Sequence, residues 1–475
     1  MSTSTSASTS TSTSTSTSTS ISTSISTPQP PPERPLPPQQ SHALKSALLA
    51  LIKHPDRISI RLRSIATDAS HVAALPSTYK LPLIPNERCG TWYIPSSLLI
   101  PGTGPAYFKS TDGHTGEWSF SLRRLNLGVL ETVAAYEGAI VVDSSKGKSV
   151  SDALSKTIPI WVGVWNRVLF PEREDAHALR FPEGVVSLSD AAQIEERMPG
   201  FVEELKALNL PLPSLDLPLI PIHITPLTPL PPSPPSHPDF LPLYLYTAST
   251  TLPPAPLTPE TYIQGAADDA EAWCIGLTPW LFWSHKDTLL STPEPDLPGL
   301  IAELVASAPP PEEGITRLTP WLSLGPLSAL PDLNTAPAAL SVPLLPNPKV
   351  AQRQLRRSYS CIARFLTPHL LRIPYVPLSA TNPSSTGTPI PPSSDAEQEI
   401  PQILILSPSP SDLGSATALL ATCLHERLVG GEVQTKERIR MRLAHLVAVW
   451  EGVRPARASV VGVGEYLMRR DGEVG

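Results

Sequence analysis

The sequence predicts a mixed α/β fold, and three observations carry that reading. The apolar run Gly138 to Val142 has the length and branching of a buried strand, and it ends on Asp143 and a small-residue loop. A second strand, loop and helix in the same order span Gln402 to Leu428. Segments with helical spacing of apolar residues, 42 to 75 and 435 to 450, flank the two units.

Along the chain, residues 1 to 41 read as a tail. Positions 2 to 27 are almost pure Ser/Thr and 28 to 38 are proline-rich, a mixture that buries too little apolar surface to offset ordering entropy. Residues 42 to 285 form a first domain. Its entry is the helical segment 42 to 75, interrupted at Pro55 and carrying Arg57, Arg61 and Arg63. The strand ending at Asp143 leads to a helix with Ser151 or Asp152 as its N-cap. The 59 prolines cluster at 208 to 260, 291 to 311, 326 to 348 and 367 to 393, which read as insertions, linkers or sheet edges. The first domain thus carries a proline-rich insertion at about 208 to 260, a linker follows at 286 to 314, and residues 315 to 470 form a second α/β domain.

In that second domain the strand Gln402 to Leu406 precedes a helix from about Leu413 to Leu428. The next helix, Thr435 to Trp450, puts Ile439, Leu443, Leu446 and Trp450 on one face and Lys436, Arg438, Arg440 and Arg442 on the others.

A formal charge of −7 argues against a protein whose whole surface grips nucleic acid, although a local basic patch suffices for one RNA. Cys89, Cys274, Cys361 and Cys423 are scattered, with no CxxC pair and no neighbouring histidines, which disfavours a zinc site or a disulfide framework and suits a reducing cytosol. No apolar run reaches the roughly 18 residues of a membrane span, and the start lacks the basic and apolar regions of a secretory signal. The expectation is a cytoplasmic protein with neither membrane nor DNA as partner.

Three segments concentrate chemistry. In GAIVVDSSKGKSVSDALSKTIPIW, residues 138 to 161, a strand delivers Asp143 to its carboxyl end, and the loop behind it offers Ser144, Gly147, Lys146 and Lys148 as a phosphate cradle. It is not a Walker A loop, since the first glycine of that motif would fall on Val142. A plain solvated strand-to-helix turn is the competing reading. In YFKSTDGHTGEWSFSLRRLNL, residues 107 to 127, Lys109, Asp112, His114, Arg123 and Arg124 crowd around turn-forming Gly113 and Gly116. A surface turn with a solvated ion-pair cluster would look the same. In YIQGAADDAEAWCIGLTPWLFW, residues 262 to 283, the adjacent Asp268 and Asp269 have the chemistry of Mg²⁺ ligands completed by a phosphorylated substrate, and equally that of a helix's first turn.

These segments, together with NERCGTWYIP at 86 to 95, resemble the initiator transfer-RNA phosphoribosyltransferases, also called tRNA 2′-O-ribosylphosphate transferases. The resemblance runs from about Ile58 to Trp283 and resumes in the C-terminal third. It implies transfer of ribosyl phosphate from phosphoribosyl pyrophosphate to the 2′-hydroxyl of the T-stem purine at position 64 of initiator methionine tRNA, which keeps that tRNA out of elongation. It assigns residues 42 to 285 as the transferase domain. On this reading Asp112 or Asp143 is the base, with His114 as a further candidate. Ser144, Lys146 and Lys148 cradle a donor phosphate, Lys109 and Arg123 meet phosphate, and Asp268 and Asp269 hold Mg²⁺.

The resemblance also implies a C-terminal domain like a dual-specificity phosphatase. Here Leu406 and Ser407 stand where that loop has His and Cys, and Pro410 where it has Gly. Without a thiolate, and with Pro408 and Pro410 each lacking an N–H, phosphatase activity is not expected. The expected role is tRNA binding through Lys436, Arg438, Arg440, Arg442, Arg454 and Arg457. A non-catalytic tRNA-binding relative is the alternative; survival of the charged positions of the first domain favours catalysis.

Overall fold

The computed structural model describes residues 57–87, 89–100, 103–210, 212–254, 256–259, 261–308, 314–329, 338–345, 347–375, 402–450 and 452–468. The Ser/Thr- and Pro-rich tail, positions 42 to 56 of the first helical segment, and most of the interval 367 to 393 lie outside the described residues.

Strand β1 (Leu83–Pro85) pairs in parallel with β2 (Ala139–Asp143), the strand read from the sequence one residue earlier. All five residues of β2 are buried, and they alternate between two cores. Ala139 and Val141 join one, Ile140 and Val142 the other. A parallel strand apolar on both faces needs cover on both. One face receives α3 (Leu127–Tyr136), α4 (Ile158–Leu169) and α5 (Leu188–Lys206). The other receives α1 (Ile58–Val72), α2 (Leu75–Tyr79), the tight turn Gly90–Tyr93, and the short helices that follow residue 269. Ser151 caps the entry to α4: its hydroxyl accepts from the Leu154 N–H at 3.2 Å, and a wide turn at Ala153–Thr157 joins it to the helix.

The interval 208 to 260 departs from the expected surface insertion. It supplies β3 (Leu219–Ile224) and β4 (Leu241–Thr247), and the sheet order is β1-β2-β4-β3, with every pair parallel. The prolines are tolerated for positional reasons. Pro221 lies on edge strand β3, where an outward-facing N–H has no ladder partner to lose, and Pro242 is the second residue of β4, at its entry. Buried Asn166 of α4 anchors the edge strand: its amide donates to Leu219 O at 2.9 Å and accepts from Leu219 N at 3.0 Å.

Nor is 286 to 307 a free linker. After α6 (Ala270–Trp273) and α7 (Pro279–Ser284), helices α8 (Lys286–Ser291) and α9 (Leu297–Ser307) bury Leu289, Leu297 and Ile301 in the core shared with β2. Proline at the start of α9 occupies a position where a missing N–H costs nothing.

A second, three-stranded sheet has the order β5-β6-β7, with β5 (Thr316–Thr319) antiparallel to β6 (Leu322–Pro326), and β7 (Ile403–Ser407) parallel to it. Its core is built with α10 (Pro348–Leu370), α11 (Ser415–Val429), α12 (Lys436–Val449) and α13 (Arg457–Leu467). The strand and helices read from the sequence here lie within two residues of their observed limits. Ile439, Leu443 and Leu446 are buried as the spacing requires.

Two buried features invite measurement. Gly90 packs on the end of β2, and a Cβ there would lie 2.0 Å from the Val142 carbonyl oxygen. Backbone meets backbone, so Gly90→Ala is expected to destabilise by about 1–3 kcal/mol in denaturant unfolding. Gly104→Ala, with open space around it, is expected within about 0.5 kcal/mol of the wild type. Asp68 of α1 is buried and accepts from the Tyr262 hydroxyl at 2.9 Å, and burial pushes its carboxyl up to about 8 from 3.8. A carboxyl raised by folding costs nothing below its unfolded pKa, and stability falls as pH rises toward the folded value. Thermal melts from pH 5 to 8 are therefore expected to decline more steeply for the wild type than for Asp68→Asn.

Candidate active site

The carboxyl ends of β1, β2 and β4 carry the site, as expected of parallel α/β sheets, whose ligands lie outside the strands' carboxyl ends. Beyond β1, Asn86 is buried and grips one residue twice. Its amide donates to Phe108 O at 3.0 Å and accepts from Phe108 N at 2.8 Å, which sets Lys109 beside the strand ends. Asp143 closes β2 and accepts from the Ser151 hydroxyl at 2.6 Å. Burial raises its carboxyl to about 7; hydrogen bonds from Ser151, the Ser144 N–H and Asn86 oppose that rise, and the Asp268 carboxylate adds to it.

The loop after Asp143 is held by the turn at 264 to 268. Ser144 and Ser249 share a 2.5 Å hydroxyl contact, and Ser249 accepts from Gly265 N at 3.1 Å. Gln264 donates to Ser145 O at 2.8 Å and Lys148 O at 3.0 Å and accepts from Gly147 N at 2.6 Å. Asp268 accepts from the Ser145 hydroxyl at 3.2 Å and Lys146 N at 3.1 Å. Gly265, at φ +64°, makes this possible: a Cβ there would fall 2.4 Å from Lys146 N.

An open cleft of about 660 Å³ results, with Asn86, Lys109, Asp143, Ser144, Asp268 and Asp269 among its lining residues. Five residues singled out in the sequence therefore meet in one place: Lys109, Asp143, Ser144, Asp268 and Asp269. Others do not line it. Asp112 is paired with Arg124 at 2.7 Å. His114 is exposed, 3.5 Å from Asp152, which also binds Lys148 and, at 2.9 Å, Lys156. Arg123 donates to the Pro455 carbonyl. The phosphate cradle expected at 146 to 148 is changed in character too, because the N–H groups of Lys146 and Gly147 are already bound to Asp268 and Gln264.

The expected metal pair does not fit as a pair. Asp268 Oδ1 accepts from Cys89 Sγ at 3.5 Å and Asp269 N at 3.1 Å, and Oδ2 accepts from Ser145 and Lys146. Four donors use the lone-pair directions a carboxylate offers, so Asp268 organises the loop. Asp269 is exposed at φ +51°. Among the described residues no group of three or more His, Cys, Asp or Glu is placed to hold a metal.

The C-terminal basic set divides. Arg438 and Arg442 bind the fully buried Glu426 of α11, at 2.6 and 3.3 Å, and Arg438 also binds Glu432. These two stabilise the helix pair and are not a free face, because the neighbouring helix presents a carboxylate that helical spacing cannot show. Lys436, Arg440 and Arg457 are exposed, and Arg454 is ion-paired with Glu87, a residue of the cleft lining. Asn86, Cys89, Ser249 and Gln264 were missed in the sequence; all but Ser249 lie inside the quoted motifs, but nothing in spacing marks an amide that ties two loops.

Fold and site define an α/β protein with a ligand cleft at the carboxyl edge of a parallel sheet and a buried acid at its floor. The chain belongs to the Rit1 family: the model of the Rit1 N-terminal domain matches residues 51–306. It is 37% identical over 292 residues to an uncharacterized protein of Schizosaccharomyces pombe, covering 58% of this chain and 60% of that one. It is 36% identical over 262 residues to the tRNA A64-2′-O-ribosylphosphate transferase of Saccharomyces cerevisiae, covering 48% of this chain and 50% of that protein. The chain thus spans between half and three fifths of these relatives. No solved structure matches it. No helix among the described residues is long and apolar enough to cross a membrane.

The two aspartates are separable by experiment. Asp268→Asn is expected to speed amide hydrogen exchange at Lys146 and to lower the melting temperature, whereas Asp269→Asn leaves both near wild type. Equal effects from the two would show that Asp268 does not organise the loop.

Proposed function

We propose that this protein transfers ribosyl phosphate from phosphoribosyl pyrophosphate to the 2′-hydroxyl of nucleotide 64 in initiator methionine tRNA. The observation that carries the reading is Asp143: a buried carboxyl raised to about 7, at the floor of the cleft, with Lys109 in the same wall. The S. cerevisiae relative, named for A64 2′-O-ribosylphosphate transfer, supplies the reaction. Attack of a ribose hydroxyl on the donor's anomeric carbon forms the new C–O bond, breaks the bond to pyrophosphate, and releases the hydroxyl proton. A base poised near neutrality is suited to take that proton. Asp143 fits that role, with Ser151 holding its carboxylate. Lys109 then meets donor phosphate, and Ser144, its hydroxyl held by Ser249, fixes the loop beside it. Asp112 and His114, engaged with Arg124 and Asp152, support the loops around the cleft. Such a phosphate in the T-stem would hold the tRNA out of elongation, in the cytoplasm.

For the C-terminal part we infer no phosphatase chemistry. The Ser407 hydroxyl at the end of β7 is bonded to the Ser409 backbone, and buried Cys423 has its thiol pushed up to about 12. The reading left for that part is support of tRNA binding.

Labelled phosphoribosyl pyrophosphate, offered with initiator or elongator methionine tRNA with and without Mg²⁺, tests the proposal; label on initiator tRNA is expected. No label on either would leave a tRNA-binding relative without activity. Because Asp143 must be ionised to accept a proton, kcat/KM is expected to rise with pH through about 7. Asp143→Asn is expected to lower turnover by about 10²–10⁴-fold and to remove that limb of the profile.

A further inference from the structure

Beside the cleft, two distant parts of the chain meet through arginines. Arg124, from the segment after β1, and Arg454, from the segment before α13, lie over the ring of Tyr107 at 5.5 and 5.4 Å. Tyr107 and Glu87 both line the cleft, and Glu87 is the ion-pair partner of Arg454. Arg123 donates to Pro455 O, and burial together with the like charges of Arg124 and Arg457 lowers its pKa. Four guanidinium groups thus gather at this seam. Asp112 binds Arg124 and Glu87 binds Arg454, whereas Arg123 meets a carbonyl and Arg457 is exposed, so cationic groups are concentrated there in a chain of formal charge −7.

The seam is also built. Asp412, in the loop after β7, accepts from Ala456 N at 2.8 Å and the Ser459 hydroxyl at 3.0 Å, and its other oxygen accepts from Gln352 at 2.9 Å. Ser411 O accepts from Arg454 N at 2.8 Å. The loop between β7 and α11 therefore grips the segment that delivers Arg454, Pro455 and Arg457 to the cleft's edge.

We propose that this seam, with Arg123 and Arg457 as its phosphate contacts and the paired Arg124 and Arg454 framing them around Tyr107, is the surface on which the ribose-phosphate backbone of the acceptor RNA docks beside the cleft. The proposal rests on the RNA-acceptor reading above and assigns the place where that RNA lies. Guanidinium groups in a partly desolvated seam suit phosphate oxygens, which they can bind with two N–H groups at once. The location is decisive: a backbone held here lies against the wall shared by Glu87 and Tyr107, so its neighbouring ribose is presented to the cleft. Arg438 and Arg442, committed to Glu426, are not part of this surface.

Binding of full-length initiator methionine tRNA, measured as a function of salt, tests the surface independently of turnover. Removing one arginine that neutralises a phosphate is expected to reduce the slope of log affinity against log salt by roughly 0.7–0.9. Arg457→Ala, at an exposed position, is expected to show that reduction with an unchanged melting temperature, and in the transfer assay a raised KM for tRNA with kcat and the KM for phosphoribosyl pyrophosphate unchanged. Arg123→Ala is expected to reduce the slope as well, while Lys206→Ala, an exposed lysine of α5, keeps the wild-type slope. Wild-type slopes and tRNA KM values for both arginine variants would overturn the proposal. So would a reduction confined to Lys436→Ala/Arg440→Ala, which would put the RNA on α12. Seam-dependent binding without any transfer would sustain the surface and remove the transferase reading instead.

Discussion

The approach of the turn at Gly265 to the backbone of Ser145 and Lys146 is the constraint on which the site depends. No side chain fits between them, so the close approach requires a glycine in the left-handed region and is secured by polar groups on either side. Gln264 satisfies three partners on the loop, and Asp268 satisfies two more. The loop after β2 is consequently a fixed wall. Its hydrogen-bonding capacity, the Ser144 hydroxyl on Ser249 included, is largely spent internally, which leaves the Asp143 carboxyl and the Lys109 side chain as the groups that define the cleft's chemistry.

The electrostatics follow from that geometry. Asp143 and Asp68 are both buried, and both are pushed up toward or past neutrality by loss of water. Of the two, Asp143 lines the cleft. Asp68, on α1, is instead enclosed with Tyr262, so there the same shift bears on stability. Elsewhere charge is committed to structure: Asp152 gathers Lys148, Lys156 and His114, and Glu426 gathers Arg438 and Arg442. An uncompensated buried carboxylate would be costly, so each such acid draws in whatever cations its neighbours provide.

The second sheet takes part in the first one's site. In its loop after β7, Asp412 binds the start of α13 and Gln352 of α10. The segment so fixed reaches Glu87 and Arg123. That loop holds the segment through Asp412, since a carboxylate that accepts from several donors is a rigid point of attachment.

The mixed α/β class, the strand that ends on Asp143, the later strand-loop-helix unit and the family were all legible in the chain, because they reside in local runs of residues: an apolar pentapeptide, helical spacing, and long ordered motifs. The proline-rich interval was misjudged, since whether a proline breaks a strand depends on which way its missing N–H would point and where the strand lies in the sheet. Pro221 on an edge and Pro242 at a strand entry satisfy conditions that only pairing defines. Which charged residues share the cleft emerged only from the folded arrangement. Lys109, Asp143 and Asp268 come from three separate segments and meet there, while Asp112 and Lys148, nearer to them in sequence, turn to Arg124 and Asp152. Partner choice is set by distances across the fold, and no spacing along the chain encodes it.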